Sequence, residues 1–102
     1  MENPEFSTLI SKAERYCAMA EHCETEVCRK LWQWHADEEY IPQIIAHLRE
    51  HNYINDSRYC QAFVHDHLLI NHWPVEKIRY ALLSRGLPDD IISQAIQSAA
   101  NI

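Results

Sequence analysis

One glycine, Gly86, and four prolines are all the backbone punctuation in this chain, and 47% of its residues are hydrophobic. That composition excludes a disordered or low-complexity segment. No apolar run approaches the roughly 20 residues of a membrane span, and no basic-then-apolar leader is present; the expectation is a cytoplasmic protein without membrane contact. The four cysteines, Cys17, Cys23, Cys28 and Cys60, have no C-x-x-C spacing, which points to buried reduced thiols rather than a disulfide framework or a finger. A basic excess is missing too: net charge is −6, with ten acids against five Lys or Arg in residues 1–53 and five against four in 54–102. Duplex DNA binding by charge alone is therefore excluded, although a local basic face in the second half is compatible with the counts.

What is present is helical periodicity. Leu9, Ala13, Tyr16, Cys17 and Ala20 predict a first amphipathic helix at about 7–20. Cys23 with Glu26 three residues on has the layout of a capping box, weak because a thiol is a poor acceptor, and Val27, Leu31 and Trp34 mark the buried stripe of a second helix. Asp37-Glu38-Glu39 forms the connection. Pro42 fits the first turn of a third helix starting near Tyr40, burying Ile41, Ile44, Ile45 and Leu48 and fading at Asn52.

Asn55 or Asp56 then caps a fourth helix at about 56–71, with Tyr59, Ala62, Phe63 and Ile70 inward. Pro74 opens a fifth helix that buries Ile78 and Leu82, and Gly86 supplies its left-handed C-terminal cap. Pro88 opens a sixth, with Asp89 and Asp90 at its positive end and Ile91, Ile92, Ala95 and Ile96 packing inward. No segment reads as a strand.

Arg15-Tyr16-Cys17 recurs as Arg58-Tyr59-Cys60, each followed by two further helical segments. Val27 and Leu31 align with Ile78 and Leu82, and Ile44, Ile45 and Leu48 with Ile91, Ile92 and Ala95. The expected fold is all-α: about six helices in two tandem three-helix, helix-turn-helix-like repeats, divided as 1–53 and 54–102. Such a chain carries its function on a surface.

Chemistry-bearing patterns are sparse. His47 and His51 share a helix face at i, i+4, but no H-E-x-x-H occurs and no metal site is assigned. Cys23 beside His22 near a helix start is the one candidate nucleophile; Glu24 and Glu26 oppose its thiolate and no orienting third group is found, so the chain is read as a non-enzyme without cofactor or small-molecule substrate. Trp32 and Trp73 lie off the core stripes and could stack on single-stranded bases or anchor a protein.

Four stretches carry a resemblance. Glu26-Val27-Cys28-Arg29-Lys30-Leu31, Tyr53-Ile54-Asn55-Asp56-Ser57-Arg58-Tyr59, Lys77-Ile78-Arg79 with Leu82 and Ser84-Arg85-Gly86-Leu87, and Ile91-Ile92-Ser93-Gln94-Ala95-Ile96 resemble, in order and spacing, the bacterial RecX regulatory proteins. Members of that family typically have three such repeats, and this chain has room for two. Asn71-His72-Trp73-Pro74 replaces the family's glycine-rich lead-in to the fifth helix.

The resemblance implies a regulator that lies in the groove of the RecA filament on single-stranded DNA and lowers its ATPase, strand-exchange and coprotease activities. Arg58, Lys77, Arg79, Arg85 and Trp73 are the expected contact residues, with Arg79 and Arg85 leading the set, because guanidinium suits both carboxylates and DNA phosphates. Two other readings stay open: a direct DNA-binding helix-turn-helix regulator, and a generic helical adaptor.

Overall fold

In the computed structural model, which describes residues 5–101, six α-helices fall close to the expected positions and the described residues contain no strand. Two compact units result, residues 1–55 and 56–102. In the first, α1 (Phe6–Met19) buries Leu9, Ala13 and Cys17, α2 (Glu24–Gln33) buries Val27 and Leu31, and α3 (Tyr40–Glu50) buries Ile44, Ile45 and Leu48. Ala36 and Ile54 close the same core from the connections. The capping box at α2 forms, and its stronger half is the Glu26 carboxylate accepting the Cys23 N–H at 3.0 Å.

Several expected core members sit at the edge instead. Tyr16, Trp34 and Ile41 are partly buried against the core, and Ala20 is exposed where the chain turns extended after α1. Cys17, one residue beyond Tyr16, takes the inward position.

In the second unit, α4 (Asp56–Val64) buries Tyr59, Cys60 and Val64, α5 (Val75–Ser84) buries Ile78 and Leu82, and α6 (Asp89–Ala100) buries Ile92 and Ala95. Pro74 and Pro88 are extended N-caps of α5 and α6, one residue ahead of the first helical position. The expected fourth helix departs most from the sequence pattern: after Val64 it widens into a π-helical segment, His65–Ile70, ended by Asn71 N–H bonding to Asp66 O at 3.0 Å. A five-residue hydrogen-bond step changes the rotation per residue. Spacing by 3.6 therefore no longer returns Ile70 to the core, and it is 60% exposed.

Four helical segments end on a left-handed residue, and Gly86 (φ 84°) is the only glycine among them; His35, Asn52 and His72 fill the others at φ near 60°. At α5 the motif is complete: Gly86 N–H bonds to Leu83 O and Leu87 N–H to Leu82 O, with both leucines at 82 and 87 buried. At α2 the same pair of bonds runs from His35 to Trp32 and from Ala36 to Leu31.

A side chain with a Cβ is strained in this region, and histidine gains nothing from its backbone there. His35→Gly and His72→Gly are each expected to raise stability by about 0.5–1 kcal/mol, seen as a higher thermal midpoint by circular dichroism. A lower midpoint for both variants would contradict this reading of the caps.

Candidate partner-binding surface

The second unit brings three of the five expected contact residues together. Trp73 lies just ahead of α5, and His67 from the π-helical segment stacks on it, ring centroids 4.1 Å apart at 26°. Phe63 of α4 meets Trp73 edge-on at 6.2 Å and lies 4.2 Å from the His67 ring. Lys77, in the first turn of α5, holds its Nζ 4.0 Å from the Trp73 centroid. Arg85, the C-cap of α5, places its guanidinium carbon 5.1 Å from the Phe63 centroid and donates to Ala81 O at 2.8 Å. The result is a run of three rings with a cation at each end, each cation favoured by the ring quadrupole beneath it.

Phe63 and His67 join the cluster although neither is an expected contact residue. Their i, i+4 spacing is a usable signal, but the helical pattern assigns Phe63 to the inner face. Arg79 points elsewhere: its Nη1 donates to Asp89 Oδ1 at 2.7 Å and to Ser93 Oγ at 2.9 Å, fastening α5 to α6. Arg58, in the first turn of α4, is half-buried and has interactions of its own.

The first unit repeats the arrangement with different residues. Tyr16 of α1 stacks on His22 at 3.8 Å and 10°, and meets Trp34 edge-on at 6.1 Å. His22 lies two residues before α2 as Trp73 does before α5, and Trp34 is the C-cap of α2 as Arg85 is of α5. In both units, then, a ring of the first helix is clasped by residues flanking the second.

Burial and then the neighbouring Glu26 raise the Tyr16 hydroxyl above its ordinary pKa, and Lys30 Nζ lies 5.6 Å from the Tyr16 ring centroid. Cys28 is likewise raised, by burial and then Glu24, and Cys23 is buried. Neither thiol is presented as a nucleophile. Among the described residues no three His, Cys, Asp or Glu side chains converge as metal ligands would; His47 instead hydrogen-bonds Glu14 at 2.8 Å and lies 4.4 Å, ring to ring, from His51. No described helix is long and apolar enough to cross a membrane.

Residues 55–96 match the family model described as RecX, second three-helix domain, a stretch that contains Phe63, Trp73, Lys77 and Arg85. The regulatory protein RecX of Streptococcus agalactiae serotype III is 34% identical over 83 residues, 81% of this chain and 32% of that protein. That of Leptothrix cholodnii is 30% identical over 91 residues, 89% of this chain and 57% of that protein. The chain belongs to the RecX family. It spans about a third of the length of the Streptococcus agalactiae RecX proteins. A crystal structure of regulatory protein RecX shares its fold at a TM-score of 0.83 and 22% identity, covering 91% of this chain and 47% of the other. RecX from Lactobacillus salivarius superposes at 0.77 with 26% identity, covering 89% of this chain and 59% of the other.

Proposed function

We propose that this RecX chain is a non-enzymatic regulator that binds the RecA filament on single-stranded DNA and lowers its ATPase, strand-exchange and coprotease activities. The observation that supports this reading is the cluster of Phe63, His67, Trp73, Lys77 and Arg85 in the unit matching the RecX second three-helix domain. Aromatic and arginine anchors side by side are what the centres of protein interfaces use. Lys77 and Arg85 offer charge to carboxylates of the filament or, secondarily, to DNA phosphates. A purely DNA-directed role is disfavoured by the net charge of −6 and by the engagement of Arg79 with Asp89.

The test is a titration into preformed RecA filaments while DNA-dependent ATP hydrolysis and co-sedimentation are followed. Slowed hydrolysis with co-sedimentation is the expected result; if neither occurs, the reading fails. On single-stranded DNA alone, little binding is expected at about 0.15 M salt, and a high affinity falling steeply with salt would instead favour a direct DNA-binding regulator.

A further inference from the structure

The first unit separates its charges. Residues 1–55 hold ten acids against five Lys or Arg, yet four of those five cations, Lys12, Arg15, Arg29 and Lys30, line two grooves that share Tyr16 as a common wall. One groove, about 180 Å³, is walled by Lys12, Arg15, Tyr16, Met19 and Trp34, with no acid among them. The other carries Arg29 and Lys30 with one acid, Glu26. Met19 is 81% exposed, a large apolar side chain held beside two cations.

This combination selects its ligand. An apolar groove bordered by Lys12 and Arg15 fits an apolar side chain that has carboxylates next to it. A nucleic acid strand fits less well, because the rings are already covered: His22 stacks on Tyr16, Lys30 Nζ lies 5.6 Å from the Tyr16 centroid, and Lys12 Nζ lies 4.5 Å from that of Trp34. Base stacking needs a bare ring face. A short acidic segment with an apolar anchor also gains from burial that a phosphate strand lacks.

We propose that the groove between α1 and the end of α2 docks an acidic peptide segment of a protein partner, one bulky apolar side chain entering between Met19 and Trp34 while flanking carboxylates pair with Lys12 and Arg15. This lies beyond the filament reading: it uses the other unit and other residues, and it stands whether or not the chain inhibits RecA.

The experiment uses the whole chain and a short fluorescein-labelled peptide with one phenylalanine among aspartates and glutamates. Anisotropy gives affinity, and amide chemical shifts give location. Expected are shifts in α1 and at the end of α2, with affinity falling about fivefold or more when the phenylalanine becomes alanine, and again in Lys12→Glu/Arg15→Glu. Arg15→Glu alone, at an exposed position, should weaken binding with an unchanged thermal midpoint. The proposal is overturned by equal binding of the alanine peptide, by unchanged affinity in the Lys12/Arg15 variants, or by an oligothymidylate binding more tightly than the peptide.

Discussion

Leu82→Ala is expected to cost the second unit about 3 kcal/mol. Leu82 is 0% exposed, and removing most of its side chain loses transfer free energy and leaves a cavity that close-packed neighbours fill only in part. Its position makes collapse harder still. Leu82 O receives the Leu87 N–H that closes the cap around Gly86, so the backbone at this point is tied on both sides of the turn into α6. Leu83, the next residue, is 46% exposed and provides the control: Leu83→Ala should cost under about 1 kcal/mol. Hydrogen exchange of the α4, α5 and α6 amides measures the loss where it occurs. Protection in Leu82→Ala as high as in Leu83→Ala would show that this core tolerates a hole, contrary to the packing argued here.

The same residues show why much of the fold was legible in advance. Val27 and Leu31 repeat as Ile78 and Leu82 because each pair lies one helical turn apart on a face that must be buried, a local constraint that spacing reports directly. Gly86 was legible for a similar reason, since a left-handed residue after a helix selects glycine. His35 and His72 were not, because histidine at such a position opposes its own preference and the local backbone hydrogen bonds of the turn override it. Ile70 failed through the π-helical segment: nothing in His65–Ile70 announces a widened turn, and one extra residue in the hydrogen-bond step rotates every later side chain.

For the site, Trp73 and Lys77 are a local pair, four residues apart. Phe63 with Arg85 and Arg79 with Asp89 are meetings that only the packed unit creates. That distinction reorders the candidate cations.

Charge reversal at Lys77 and Arg85 together is expected to weaken inhibition of RecA ATP hydrolysis about tenfold or more, whereas reversal at Arg79 should act mainly on stability. Lys77 and Arg85 lie over the rings of Trp73 and Phe63, so glutamate there places like charge against an acidic partner and removes the cation–π contacts at both ends of the cluster. Arg79→Glu instead sets a carboxylate against Asp89 and loses the bond to Ser93, for a cost of about 1 kcal/mol in a pair that solvent partly screens. Arg85→Glu also gives up the bond to Ala81 O, so the comparison must include a thermal midpoint for each variant. The expected pattern is a Lys77/Arg85 variant that remains folded and fails to slow hydrolysis, beside an Arg79 variant that melts earlier and, below its melting range, still inhibits. Strong inhibition by the folded Lys77/Arg85 variant would move the filament contact off this cluster, and loss of inhibition in a folded Arg79 variant would place it nearer the α5–α6 junction.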